Sequence, residues 1–182
     1  IEGVLAVPLT IEWDDKDYSV VSIGNYAFYN CSSIVEIQIP ESVTSIGTYA
    51  FYGCKGLTSV NIPEGIISIA NYSFYNCTSL VSIELPTSIK TIGSNAFYGN
   101  GLTSIDIPEG VTSIGANAFQ KCTSLTMVIL PSTLTTISDN AFRGCSKLVK
   151  FIARMNPPIS FGSNAFTGIH ASCGLHVPDG IR

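Results

Sequence analysis

Positive charge is scarce in this chain. Nine lysines and arginines stand against thirteen aspartates and glutamates in 182 residues, for a net charge of -4. So few cations cannot neutralise a run of phosphates, and nucleic acid is not expected as a partner. Histidine is nearly missing: His170 and His176 are the only two. With no G-x-S-x-G or comparable motif beside them, they read as surface residues. Phosphate-loop, dinucleotide-loop and calcium-loop patterns are absent, and no C-x-x-C pair supports zinc, so neither cofactor nor metal site is expected. No apolar run approaches the roughly 20 residues that cross a bilayer, so this chain carries no transmembrane segment. It opens at Ile1 without a signal peptide's basic and apolar regions, and it reads as a fragment of a longer protein. What is present is 46% hydrophobic and 12% charged, enough for one buried core.

That apolar content is periodic. Phe28, Phe51, Phe74, Phe97, Phe119, Phe142 and Phe166 follow one another at steps of 23, 23, 23, 22, 23 and 24 residues. Proline recurs twelve residues later at Pro40, Pro63, Pro86, Pro131 and Pro178, with Pro108 one short and Arg154 in the remaining place. Self-similarity at such a period marks a stack of supersecondary units.

One unit runs VTSIGTYAFYGCKGLTSVNIP, from Val43 to Pro63. Leu57, Val60 and Ile62 end in strand alternation, with Ser59 and Asn61 on the opposite face. Pro63 lacks an N–H for a ladder and closes the strand. Val43 and Ile46 point inward from a second extended segment, followed by a small residue: Gly24, Gly47, Ala70, Gly93, Gly115, Ser138 or Gly162. Ala50 and Phe51 then suit a short helical turn. Two residues past each Phe stand Asn30, Gly53, Asn76, Gly99, Lys121, Gly144 and Gly168. All but Lys121 tolerate a left-handed backbone, so this position reads as the cap of the turn.

No such unit hides its apolar residues alone, but stacked copies bury Phe on Phe and Ile on Ile. The expected fold is a right-handed α/β repeat solenoid over residues 1–182, with about seven repeats of about 23 residues. It carries a parallel β-sheet on one face and short helical turns or extended segments on the other. At about 4.8 Å per coil the rod is on the order of 35 Å long. An insertion near residues 9–19, including Trp13-Asp14-Asp15-Lys16-Asp17, is expected as a surface loop.

The strings V-T-S-I-G-x-x-A-F-x-x-C and L-x-x-V-x-I-P resemble the BspA-like branch of the leucine-rich repeat family over nearly the whole chain. Asn156-Pro157-Pro158 through Leu175-His176-Val177-Pro178-Asp179-Gly180 looks like the terminal repeat of bacterial members, which would put the natural C-terminal cap just beyond Arg182. The resemblance implies a leucine-rich-repeat stack in a secreted or surface-attached protein that adheres to host or bacterial partners; similar repeats occur in protist surface proteins.

Cys31, Cys54, Cys77, Cys122 and Cys145 share one repeat position, three residues past Phe, and the fourth repeat loses it through a one-residue deletion near Asn100. Neighbours about 4.8 Å apart fall within the Cα limit for a disulfide, but parallel side chains are poorly aimed for it. The column therefore reads as buried free thiols, with a disulfide in an oxidising compartment as the alternative. Cys173 lies off the column and is the candidate reactive thiol if exposed. Sequons at Asn30, Asn71 and Asn76 matter only in a glycosylating host.

In a solenoid, function usually belongs to residues that vary at fixed outward positions. One strand-face column runs Gln38, Asn61, Glu84, Asp106, Ile129, Ile152 and His176; its partner runs Glu36, Ser59, Ser82, Ser104, Met127, Lys150 and Gly174. The face is polar and acidic early and then presents Met127, Ile129 and Ile152 together, either as a binding patch or as surface covered by a missing segment. On another side Tyr26, Tyr49 and Tyr72 form one column, and Tyr29, Tyr52, Tyr75 and Tyr98 form a second; Asn95, Asn117, Asn140 and Asn164 then replace the first. Tyrosine suits protein or glycan contact, and equally a stacking ladder that stabilises the early coils. Residues 1–110 hold eleven acids and three bases, and residues 111–182 hold two acids and six bases. The rod is therefore polar end to end, which could steer a partner or align weak self-association. Glu41, Glu64 and Glu109 follow proline in their repeats and read as solvated charges or a cation bridge.

A catalytic site needs unlike groups brought together, whereas this chain repeats like groups. The expected function is a non-enzymatic, extracellular or cell-surface adhesion module that binds a protein or glycan on a host or neighbouring cell. The binding candidates are Glu36, Gln38, Glu84, Asp106, Met127, Ile129, Lys150 and Ile152 on the strand face, with the seven tyrosines. The alternative is an inert spacer projecting another domain.

Overall fold

The computed structural model describes residues 3–154 and 159–176; the terminal-repeat expectation on Asn156, Pro157, Pro158 and Val177 to Gly180 lies outside them. The chain winds into a parallel β-solenoid of about six turns. On the first face, Val4–Ala6, Glu36–Gln38 and Ser59–Val60 pair in that order, and Ser104–Asp106, Met127–Leu130, Lys150–Ala153 and Gly174–His176 form a second ladder. The register puts Glu36 beside Ser59 and runs Ser104, Met127, Lys150 and Gly174 in one line. A second face is built from two-residue strands, among them Ser45–Ile46, Ser68–Ile69 and Thr91–Ile92. Residues 10–19 form an antiparallel hairpin, Thr10–Trp13 with Lys16–Ser19, whose Asp14 and Asp15 take φ of 52° and 54°.

The phenylalanine corner corrects the expectation of helical turns, and with it the α/β class: among the described residues there is no helix. A helix needs each N–H to bond four residues back along its own coil. Here alternate N–H groups point to the next coil: Tyr49 to Asn71 O, Phe51 to Ser73 O and Gly53 to Tyr75 O. Those between bond three back, Ala50 to Gly47 O and Tyr52 to Tyr49 O. Left-handed residues break the corner into turns at two positions per coil. The expected one holds, with φ of 58° at Asn30, 70° at Gly53 and 60° even at Lys121. The other falls on Tyr26, Tyr49 and Tyr72, and then on Asn95, Asn117, Asn140 and Asn164, all between 56° and 60°.

The core is one apolar column per repeat position. Phe51, Phe74, Phe97, Phe119 and Phe142 are fully buried, and successive rings lie parallel with centroids 5.2–5.5 Å apart. Ile46, Ala50, Leu57 and Val60 and their counterparts close around them.

All six cysteines are free. The column thiols point at the preceding coil rather than at one another: Cys54 donates to Phe28 O at 3.0 Å, Cys77 to Phe51 O at 3.2 Å and Cys122 to Phe97 O at 3.0 Å. Burial pushes Cys54 up to about 11 and Cys145 to about 12, and Cys77 and Cys122 well above the usual thiol range. Cys173 is half-buried, and burial raises it too. The fourth repeat has not lost the column site: Asn100 fills it, buried, and its Nδ2 donates to Phe74 O at 2.8 Å. The shortening falls after it. Its Oδ1 is buried without a partner.

Three outcomes follow from this packing. Phe97→Ala removes a ring stacked on both sides and lowers unfolding free energy by about 3–5 kcal/mol in urea melts. Asn100→Cys replaces the unpaired carbonyl oxygen with the thiol that the site accepts elsewhere, and raises stability by about 1–3 kcal/mol in the same assay. The third concerns pH. Unfolded thiols ionise near pH 8.5, while the buried ones keep their protons, so the folded state holds protons that the unfolded state has lost. Stability therefore falls as pH rises above that value, and melts from pH 8 to 10.5 show a shallower fall for Cys77→Ala/Cys122→Ala than for the native chain.

Candidate functional site

Seven of the eight tyrosines form a two-column surface. Tyr26, Tyr49 and Tyr72 stack with centroids 4.9 and 4.6 Å apart, and Tyr29, Tyr52, Tyr75 and Tyr98 at 4.9, 4.6 and 4.6 Å. Tilted contacts of 5.7–5.9 Å join the columns. Tyr26 and Tyr29 are exposed and the other five half-buried. The rings spend their faces on each other, so edges and hydroxyls meet solvent. Crowding strips water from Tyr49, and the phenols of Tyr72, Tyr26, Tyr52 and Tyr29 add like-charge repulsion, so its pKa lies above the ordinary value. Tyr75 is raised for the same reasons, desolvation first and then the phenol of Tyr98. The ladder ends where Lys121 Nζ sits 5.7 Å from the Tyr98 ring centre, a cation–π distance.

The first column carries a local cost. A left-handed backbone disfavours any residue with a Cβ by about 1–2 kcal/mol, and Asn bears it best. The later coils use Asn at this place, whereas the early coils use tyrosine.

On the strand face, Asp106, Ile129 and Ile152 share one line and Met127 and Lys150 the next. Met127, Ile129 and Ile152 are half-buried and Lys150 is exposed. Arg154 reaches back over the intervening strand to Asp106, with Nη1 and Nη2 at 3.3 and 3.2 Å from its carboxylate oxygens. The guanidinium thus straps the end of the apolar patch next to Ile129. At the other end of the face Glu36 accepts a hydrogen bond from Gln38, and Gln38 and Glu84 are exposed.

Between these ends the ladder is interrupted, which no column in the sequence foretells. Among the described residues, no hydrogen bond joins Ser82, Ile83, Glu84 or Leu85 to a neighbouring strand; the last contact is Thr103 N–H to Val81 O at 3.0 Å. On the second face the ladder is missing one corner earlier, between Ser45–Ile46 and Ser68–Ile69. One coil is therefore bonded backward through Ser59–Val60 and forward through Ser68–Ile69. Its corner is tied to the preceding coil by a side chain: Asn61 Oδ1 accepts from Ile39 N–H and Asn61 Nδ2 donates to Ile39 O, both at 2.7 Å.

The result is a cleft of about 440 Å³ lined by residues 59–62 and 82–86 with Gln38 and Glu64. Ile83 and Leu85 are half-buried on its floor, whereas their counterparts Ile37, Ile39, Ile105 and Ile107 are buried. Ala70, where most coils have Gly, hints at the break, since a Cβ on Gly47 would come within 2.5 Å of Asn25 N. Ser138 nevertheless keeps its bond to Ile114 O, so a Cβ alone does not account for it.

Other sequence candidates are occupied locally. His170 Nδ1 meets Ser172 N and Oγ at 3.2 and 2.8 Å, closing an exposed turn. Glu109 accepts from Ser132 N–H and Oγ, and Glu64 from Thr87 Oγ1, so two of the three post-proline glutamates bind the next coil. Among the described residues no three His, Cys, Asp or Glu gather where a metal ion could sit, and no helix is long and apolar enough to cross a membrane.

Similar solved structures are bacterial. A T. pallidum leucine rich repeat protein is 33% identical, with a TM-score of 0.83 over 99% of this chain and 80% of its own. A leucine-rich repeat protein from Bacteroides ovatus is also 33% identical, with a TM-score of 0.75 over 91% of this chain; the chain spans about half (49%) of that protein's length. The pneumococcal vaccine antigen PcpA, 22% identical with a TM-score of 0.59 over 98% of this chain and 41% of its own, shares the fold. No match is found among curated proteins. The family profile of the BspA type leucine rich repeat region matches in six copies over residues 14–99 and 44–172, and the chain belongs to that family.

Proposed function

We propose that this solenoid is a non-enzymatic binding module at a cell surface or outside the cell, and that it meets a protein or glycan with its tyrosine face. The observation that carries this reading is the backbone cost at Tyr26, Tyr49 and Tyr72, each held near φ 60° where later coils of the same chain use Asn. Strain kept against an available local remedy points to a use for the side chain. Ring stacking offsets that cost by about 0.5–1.5 kcal/mol per pair, roughly cancelling it, so stability alone does not select tyrosine. Two adjoining columns give a broad amphipathic surface of the composition that dominates recognition interfaces. The strand-face candidates form a second contact region. Lys150 and Glu84 are exposed there and Gln38 bonds Glu36, while Met127, Ile129 and Ile152 contribute less than full exposure would allow because they are half-buried. Family membership supports the surface location.

The opposing reading, an inert spacer, is favoured by the rings' faces being spent on one another. Tyr26→Asn/Tyr49→Asn/Tyr72→Asn separates the two. Asn fits the left-handed position, so melting temperature stays within a few degrees of the native chain while binding to immobilised host-surface glycoproteins and glycans weakens about tenfold or more. A large fall in melting temperature with unchanged binding would mark the ladder as structural. Met127→Ser/Ile129→Ser/Ile152→Ser, run in parallel, reports the strand face's share.

A further inference from the structure

The cleft at the ladder break lies apart from the tyrosine face, and its chemistry points to a particular kind of ligand. Ser82, Ile83, Glu84 and Leu85 each leave a main-chain N–H and C=O without a partner strand. Such a row is a template for an added strand. Below it, Val60, Ile62, Ile83 and Leu85 form an apolar floor; at the rim stand Glu64 and Glu84, both exposed, with Gln38, Ser59, Asn61 and Ser82. No lysine or arginine lines it, and residues 1–110 around it carry eleven acids against three bases. Its volume of about 440 Å³ falls within the roughly 300–1,000 Å³ of ordinary ligand pockets.

We propose that this cleft binds an extended, cationic peptide segment of a partner protein. The main chain of the segment takes up the N–H and C=O groups of the alternate residues of 82–85 that face the cleft. The strand period of two turns alternate apolar side chains down onto Ile62, Ile83 and Leu85, and the lysines or arginines between them meet Glu64 and Glu84. Asn61 keeps the site open: by lending its side-chain amide to Ile39 it secures one lip of the cleft without a backbone ladder. The carboxylates favour a basic over an acidic strand and speed its encounter.

The probe is the capped hexapeptide Lys-Val-Lys-Val-Lys-Val, with Glu-Val-Glu-Val-Glu-Val as its counterpart, titrated into the chain by calorimetry and followed by amide hydrogen exchange. In the free protein the amides of residues 82–85 exchange far faster than those of Met127–Leu130. Saturating cationic peptide slows the alternate, cleft-facing amides among them at least tenfold, and the acidic peptide leaves them unchanged. Glu64→Gln/Glu84→Gln weakens binding about fivefold, as two exposed ion pairs allow. The charge-matched hairpin variant Glu12→Gln/Asp17→Asn and the triple tyrosine variant both bind as the native chain does, so loss of the tyrosine face and loss of the cleft read out separately. The proposal is overturned if residues 82–85 are already protected in the free monomer, if the acidic peptide binds equally, or if the hairpin variant is weakened as much as the cleft variant. Protection that appears with dimerisation in sedimentation, without peptide, would make a second copy of the chain the occupant and would overturn it as well.

Discussion

The phenylalanine N–H of each coil donates to a carbonyl of the next, Phe51 to Ser73, Phe74 to Ala96 and Phe97 to Ala118, at 2.8–2.9 Å. That bond fixes the spacing of the stack, and the spacing obliges every side chain to sit about 5 Å from its own counterpart above and below. Only residues that tolerate themselves at that distance can occupy a repeated position. Flat rings do so by stacking. The thiols of Cys54, Cys77, Cys122 and Cys145 do so by donating to the backbone of the coil before, which turns the sulfur's hydrogen away from the neighbouring sulfur. Two of the glutamates after proline, Glu64 and Glu109, do so by turning to a hydroxyl of the next coil, Thr87 and Ser132.

Features that recur down the stack are legible in the sequence because several coils repeat them. The phenylalanine and cysteine columns, the inward isoleucines and the left-handed cap after Phe are of this kind. Tyr-Ala-Phe-Tyr is locally helix-compatible and so suggests a helical turn; what forbids a helix is the coil above, which claims alternate N–H groups and forces Tyr49 and Gly53 left-handed. The same influence explains Lys121, a residue with no local liking for φ near 60° that takes it because its neighbours in the column do. In both cases a conformation is imposed between coils, where a window of a single repeat has no view.

Features carried by one coil were not legible. Asn61 sits in a column with Gln38 and Glu84, and nothing in its identity says that its amide stands in for a backbone carbonyl. Ala70 was a weak signal diluted by Ser138, which has a Cβ at the equivalent place and an intact ladder. At Asn100 the signal was present, since it stands three residues past Phe97 as each column cysteine stands past its own Phe. The shortening of that repeat lies beyond it, between Asn100 and Leu102. The tyrosine columns were visible, but their backbone cost was not, because it depends on φ and not on residue type.

A break in a ladder would ordinarily cost a solenoid its integrity, since each coil touches only its neighbours. Here the second-face ladder is lost toward the same neighbour as well, between Ser45–Ile46 and Ser68–Ile69, yet the stack holds at the back. Behind the cleft, the coil that has lost its strand bonds keeps Phe74 N–H on Ala96 O at 2.9 Å, its ring 5.2 Å from Phe51 and 5.5 Å from Phe97, and Ser68–Ile69 in register with Thr91–Ile92. Toward the following coil the Phe corner and the second-face strands both hold; toward the coil across the cleft the Phe corner holds alone, through Phe51 N–H to Ser73 O at 2.8 Å, and the front is free to part there without the stack coming undone. The tyrosine columns cross the same coils at 4.6 Å steps, but their stacking roughly balances the strain at Tyr49 and Tyr72, so the buried phenylalanines and the bonds beside them hold the break. The later coils, with an unbroken ladder from Ser104–Asp106 to Gly174–His176, have no such opening. The acidic, tyrosine-lined half of the rod is therefore also the half whose backbone is incompletely used, and it is there that a partner finds both side-chain surface and unpaired main chain.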